Sequence, residues 1–320
     1  MKTLFRGESM TIPFFDAHCD TITQIAERQQ PLYDNDCCVS IRRAANLSPY
    51  AQCFAVFTDI KREKDVHGYF RLAYNAFLDE LNVNSKTVSL CKSAEDIRAA
   101  TASGKIAAML SVEEASLIGG VGIERAYAMG VRMVGLMWNH PNELGHPWKT
   151  PELGLTALGK AYVRGCQRLG IAVDLAHASE ACFWDAAAIA AKPIIVSHAN
   201  AYAVREHGRN LKDDQISYLI RTGGVMGITL YANHLADGSC GIDAVLRHTD
   251  HVLSLGGENC LAIGGDMDGS SELPEGITGV DGVELIYEEM LRHGYNEELC
   301  RRIFYDNLLI YFERALEVSE

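Results

Sequence analysis

The sequence predicts an α/β protein of the (β/α)8 TIM-barrel type, and three observations point there. Its 320 residues suit a barrel of about 250 residues with insertions. Short β-rich runs alternate with segments of helical periodicity, the signature of parallel βα units. Four of the apolar runs stop on a side chain able to bind a divalent cation. In such barrels function gathers at the carboxyl ends of the strands, so ligands spread in this way read as one site.

The first strand is expected near 13 to 16 and leads into Asp16-Ala17-His18-Cys19-Asp20. The second lies near 52 to 58, followed by helical spacing from Tyr69 to Leu81. The third, 106 to 112, ends on Glu113, and a helix follows from Gly122 to Met129. The fourth spans 131 to 137, with a helix from Leu158 to Leu169. The fifth, 171 to 176, runs into His177 and a helix from Glu180 to Ala190. The sixth, 193 to 197, runs into His198, and its helix is Asp213 to Thr222. The seventh spans 224 to 230, with a helix from Ile242 to Leu255, and the eighth spans 261 to 265, with a helix from Gly282 to Arg292. Gly130, Gly170 and Gly223 sit where helices hand over to strands, positions that favour a left-handed residue. His140 to Leu153 and Gly269 to Gly282 are expected as long loops on the strand-end face. No low-complexity tract or composition shift marks a linker, so residues 1–320 read as a single TIM-barrel domain.

Composition narrows the function. Hydrophobic residues at 48% and charged ones at 22% describe a soluble globular chain, not a disordered one. A net charge of -13, with basic doublets that are few and scattered, argues against nucleic acid as a partner. No apolar run reaches the ~18 residues of a membrane span, so no membrane partner is expected. Most of the ten cysteines, among them Cys19, Cys53, Cys166 and Cys260, lie in apolar or helical segments and are expected to be reduced thiols that pack as small hydrophobes. The pair Cys37-Cys38 has no second pair at zinc-site spacing. Met1 to Glu8 lacks the apolar stretch of a secretory signal, and a cytoplasmic location is the expectation. A homodimer is compatible with the sequence but not specified by it.

The chemistry starts at His18 and Asp20, two residues apart and so able to reach one metal from the same strand face. Glu113 and Glu114 are adjacent, so only one can face the barrel axis, where a carboxylate can bridge two cations; a helix start with two acids is the competing reading. His177 and His198, ending consecutive strands, complete a second metal position. Each alone would more often be hydrogen-bonded scaffold, and it is the pair on consecutive strands, sharing the face of His18 and Asp20, that reverses the balance. Mixed imidazole and carboxylate ligands suit zinc and related ions, and two of these about 3.5 to 4 Å apart can hold a hydroxide and polarise an amide carbonyl.

These residues sit in motifs that resemble the membrane (renal) dipeptidase family of the amidohydrolase superfamily. The resemblance runs from Phe15-Asp16-Ala17-His18-Cys19-Asp20-Thr21 to Asp306-Asn307-Leu308-Leu309. Its specific pieces are Val173-Asp174-Leu175-Ala176-His177-Ala178-Ser179, Val196-Ser197-His198-Ala199-Asn200-Ala201-Tyr202, Gly208-Arg209-Asn210-Leu211 and Gly264-Gly265-Asp266-Met267-Asp268-Gly269. The resemblance implies a binuclear zinc dipeptidase acting on small free dipeptides, including L-Xaa-D-Xaa by family habit. His18 and Asp20 would bind one Zn2+, His177 and His198 the other, and Glu113 would bridge them. Asp266 would relay the proton from the attacking hydroxide to the leaving amine, and Arg209 would bind the substrate carboxylate.

Alternatives stay open, first among the site residues. Arg209 could instead pair with Asp213 on the surface, and Asp268 could stand in for Asp266. Where animal members have a carbonyl-polarising histidine, this chain reads Trp138-Asn139-His140, so Trp138, Asn139 and His140 are all candidate substrate-binding residues. Second, the lack of a secretory signal and a C-terminus, Arg314 to Glu320, without the tail of a lipid anchor argue against carrying over the family's membrane attachment. Third, a related hydrolase of N-acyl amino acids, lactams or lactones, or a non-catalytic metal-binding barrel, fits the same ligands.

Overall fold

Alternating inward and outward residues close eight parallel strands into a barrel. Nine strands are present among the described residues, of which all but β3 form the ring: β1 (Ile12–Cys19), β2 (Leu47–Val56), β3 (Val88–Leu90), β4 (Ile106–Val112), β5 (Val131–Gly135), β6 (Ala172–Asp174), β7 (Ile195–Ala199), β8 (Val225–Ile228) and β9 (Leu261–Ile263). The computed structural model describes residues 11–318. The expectation for Met1 to Glu8, and Ser319 and Glu320, therefore fall outside the described residues. Strand order runs β2-β1-β9-β8-β7-β6-β5-β4, and β4 returns to β2 from Ala51↔Ala107 to Val56↔Val112, which closes the ring. β3 is the strand that sequence periodicity does not reveal. It pairs only with the start of β4, on the edge that β5 takes over from Leu110.

All eight expected barrel strands and all seven expected helices form, with ends moved by a few residues. Helix Ala157–Leu169 shows why the ends fall where they do. The Thr156 side chain accepts the amide of Gly159 at the start, and Gly170 takes the left-handed conformation (φ 76°) at the end. Five further α-helices, Thr21–Arg28, Ala94–Ala102, Ala232–Leu235, Glu297–Arg301 and Asn307–Ala315, are not among the expected ones.

Alanines and larger apolar side chains together fill the lower barrel. Phe15, Ala51, Ala107, Met133, Ile195 and Ala262 form one buried cluster with Leu308, Tyr311 and Phe312 of the C-terminal helix. The Phe15 and Phe312 rings stack at 5.6 Å. This helix fills the amino-terminal end, so the open end is the one on which the strand-end loops lie. On the outer face, Phe54 packs against Phe77 of helix Val66–Val83. All ten cysteines are free, and nine of them are buried. No helix among the described residues is long and apolar enough to cross a membrane.

Two irregularities aim the site. The register of β1 slips between Asp16 and Cys19, and that of β7 between Val196 and Ala199. Bulges of this kind re-aim a side chain that strict alternation would send to the other face. They fall at His18 and His198. β6 is shorter than expected, ending at Asp174, because the Asp174 carboxylate takes the amides of Ala176 (3.1 Å) and Ser197 (2.9 Å) where a strand ladder would continue. His177 consequently sits in a turn beyond β6.

Candidate active site and metal centre

The five ligand-type side chains named from the sequence converge at the carboxyl end of the barrel. His18 comes from the end of β1. Asp20 stands at the amino-terminal cap of helix Thr21–Arg28, yet its side chain makes no capping bond and stays available to the site. Glu113 lies one residue past β4. Its neighbour Glu114 turns away and accepts hydrogen bonds from Ser116, Trp138 N (2.7 Å) and Asn142 Nδ2 (2.6 Å), which settles which acid faces the axis.

Glu113 Oε1 is the hub. His177 Nε2 lies 2.9 Å from it, His198 Nε2 3.7 Å and His18 Nε2 3.8 Å. His177 Nε2 and His198 Nε2 are 2.9 Å apart, and Asp20 Oδ2 is 3.4 Å from His18 Nε2. Ligand atoms fall into two groups that share His18: His18, Glu113 and His198, and His18, Asp20 and Asp266.

A divalent cation fits this donor set. Arg209 Nη2 donates to His177 Nε2 at 3.1 Å, so that nitrogen presents a lone pair while facing a carboxylate oxygen at 2.9 Å. Two acceptors at that distance repel unless a positive charge lies between them. His18 Nε2 and Asp20 Oδ1 are buried with no hydrogen-bond partner, a cost of about 1–3 kcal/mol per group that coordination would remove. The electrostatics agree. Burial opposes charge on His18, but Asp20 and Glu113 outweigh it and raise its pKa to about 10. Burial pushes Glu113 well above the usual carboxylate range and holds His177 and His198 well below the usual histidine range.

Asp266 lies three residues beyond β9 with φ 54°, a left-handed conformation uncommon outside glycine that turns its carboxyl into the pocket. Burial lifts its pKa to about 7, against the pull of His18. Asp268 is occupied elsewhere: Thr21 Oγ1 and the Cys38 amide (2.7 Å) donate to it. The surface reading of Arg209 fails. The side chain is buried, and Asp213 pairs with His251 at 2.7 Å.

A cavity of about 260 Å³ opens above these groups, lined by Asp20, Glu113, His177, Arg209 and Asp266, with Phe57, Trp138, Trp148 and Tyr231 as aromatic walls. Of the three candidates for carbonyl polarisation, Trp138 and Asn139 line it. Asn139 Oδ1 is already engaged, 3.2 Å from His177 Nδ1 and accepting from Trp148 Nε1 at 2.6 Å. His140 is absent from the lining. Its Nε2 lies 3.3 Å from Asp59 Oδ1 and its ring packs on Trp138. Phe57, Tyr231 and His234 were not legible as site residues, since each lies in a stretch with no motif and reaches the pocket through the chain path alone. A second cavity of about 400 Å³ shares Trp148 and Arg209 but holds none of the five clustered ligands.

The model of the membrane dipeptidase family, peptidase family M19, matches residues 9–320. The chain belongs to this family. Among solved structures, it resembles a dipeptidase of peptidase family M19, with 26% identity, a TM-score of 0.88, and 97% of this chain and 100% of that one covered. It also resembles a metallo peptidase from Rhodobacter sphaeroides liganded with a phosphinate mimic of the dipeptide L-Ala-D-Ala: 25% identity, TM-score 0.86, 95% and 99% covered. An uncharacterized protein in the pqqA 5' region of Klebsiella pneumoniae is 30% identical over 249 residues, 73% of this chain and 92% of that one. Family and fold together make this M19 chain a metallohydrolase of the dipeptidase type.

Proposed function

We propose that the chain hydrolyses the amide bond of free dipeptides at a two-metal centre, with zinc as the resident ion. The observation that carries this reading is Glu113 Oε1 standing within 3.8 Å of three imidazole Nε2 atoms at the barrel mouth. His18 and Asp20 would hold one ion, His177 and His198 the other, and Glu113 both. Bound there, the ions supply a Lewis acid for the scissile carbonyl and lower the pKa of a water.

The chain's own groups do the rest. Asp266 accepts a proton from the attacking water and returns it to the leaving amine, a task suited to a buried carboxylate that lines the pocket beside the metal-binding groups. Arg209 receives the terminal carboxylate of the substrate: its Nη1 is buried and unpartnered, and a planar fork matches a carboxylate. Phe57, Trp138, Trp148 and Tyr231 enclose the side chains and restrict water. The cavity, of about 260 Å³, has room for a substrate as small as a dipeptide. Acceptance of a D-residue at the carboxyl end is supported by the dipeptide mimic held by the Rhodobacter sphaeroides relative.

The test is a screen of L-Xaa-L-Xaa and L-Xaa-D-Xaa dipeptides, with N-acyl amino acids, lactams and lactones alongside, on protein of measured metal content. Dipeptide turnover that rises with bound metal supports the reading. Turnover confined to acyl amino acids or lactones transfers the site to a related hydrolase, and metal-loaded protein inert on every substrate makes it a non-catalytic barrel.

A further inference from the structure

We propose that Asp174 and Ser197 form a relay that locks His198 into the tautomer able to bind a cation. The proposal rests on the metal-centre reading of His198, but it concerns groups outside the ligand set. Asp174, Ser197 and His198 are all buried, at 3%, 0% and 0% exposure. The Ser197 hydroxyl donates to Asp174 Oδ2, and its Oγ lies 2.8 Å from His198 Nδ1.

Proton counting fixes the direction. A serine hydroxyl has one proton, and a carboxylate can only accept. With that proton committed to Asp174, Ser197 offers His198 only a lone pair. Nδ1 must then carry the ring proton, and Nε2 is left with its lone pair facing His177 Nε2 at 2.9 Å and Glu113 Oε1 at 3.7 Å. Histidine ligands of metals are commonly oriented by a partner on the other ring nitrogen. Here a hydroxyl stands between carboxylate and imidazole, because Ser197 directly precedes His198 at the register shift within β7 and already faces Asp174. Both are positioning residues.

Asp174 also has a purely structural duty, since Oδ1 accepts the amides of Ser197 and Ala176. The two duties can be separated. Asp174→Asn keeps an oxygen for both amides but presents an NH2 group to Ser197. The hydroxyl proton is then released toward His198 Nδ1, which drives the ring proton to Nε2. Ser197→Ala leaves Asp174's hold on the amides intact and removes the relay alone.

The experiment reads the His198 tautomer by 15N NMR of metal-free protein, assigned with a His198→Gln variant, and zinc affinity by calorimetric titration. In the wild type His198 is expected as the Nδ1–H form. Asp174→Asn is expected to switch it to Nε2–H and weaken zinc binding about 10–100-fold with unchanged circular dichroism. Ser197→Ala is expected to give a mixed tautomer and a smaller loss. An Nε2–H form in the wild type, or unaltered tautomer and zinc affinity in Ser197→Ala, overturns the relay. If Asp174→Asn does not fold, Ser197→Ala decides. Failure of the wild type to bind zinc would instead overturn the metal-centre reading, while the tautomer still judges the relay.

Discussion

Gly269 follows Asp268 on the loop beyond β9, and replacing it with alanine tests how tightly the site is built. A Cβ there would lie 2.1 Å from Asp20 Oδ2 and 2.6 Å from Asp266 Oδ1. Both oxygens belong to short side chains with few rotamers. To reach van der Waals contact, Asp20 Oδ2 must retreat by about 1 Å and Asp266 Oδ1 by somewhat less. The three atoms nearest to that Cβ all belong to side chains and none to the backbone, so the fold should survive with a loss of about 1–3 kcal/mol, the usual range for overpacking. Function should suffer more, because a displacement of about 1 Å at reacting groups can lower turnover ~100-fold. The assays are zinc titration, thermal melting and steady-state dipeptide hydrolysis of Gly269→Ala. Wild-type kcat/KM and wild-type zinc affinity in a folded Gly269→Ala protein would refute the placement of Asp20 and Asp266 at the reacting centre.

Asp266→Asn should keep its bound metal and lose about 10²–10⁴-fold in kcat, measured on metal-quantified protein; unchanged turnover would remove Asp266 from proton transfer. Arg209→Met should raise KM for free dipeptides while leaving the already slow turnover of carboxyl-amidated dipeptides nearly unaltered. Chelation should lower both activity and melting temperature, since free ion at 100 times its dissociation constant adds about 2.7 kcal/mol to the native state; full activity in metal-free protein would contradict the reading. His248 supplies a pH test away from the centre: it is fully buried, its Nδ1 accepts the Ala201 amide and its Nε2 donates to Leu235 O, and burial lowers its pKa to about 4. The unfolded chain therefore binds the extra proton between pH 6.5 and about 4, so stability falls as pH falls through that window, by about 3 kcal/mol in all from this residue. Urea melts of His248→Gln should show a flatter acid limb than the wild type; identical limbs would refute it.

Much of the fold was written in local patterns. Apolar runs of five to seven residues separated by amphipathic segments give barrel strands wherever the run is buried on both faces, and glycines at 130, 170 and 223 mark helix ends because the left-handed turn excludes most side chains. Val88–Leu90 escaped notice because three residues carry no period. The C-terminal helix Asn307–Ala315 does carry a one-sided pattern, with Leu308, Tyr311, Phe312 and Ala315 buried and Glu313 and Arg314 exposed, but no strand-end motif marks it as the plug packed against Phe15 and Ala51.

What the sequence determined by itself is the set of chemical groups and their order: a strand-end histidine or acid recurring along the chain, which local alternation places near one end of a sheet. Tertiary structure alone decided which of them meet. Bulges in β1 and β7 turned His18 and His198 inward, Glu114 was drawn off to Trp138 and Asn142, Asp268 to Thr21 and Cys38, and His140 to Asp59. The physical reason is that each choice depends on a competing partner tens to hundreds of residues away, and chain closure, not local propensity, brings those partners within hydrogen-bonding distance.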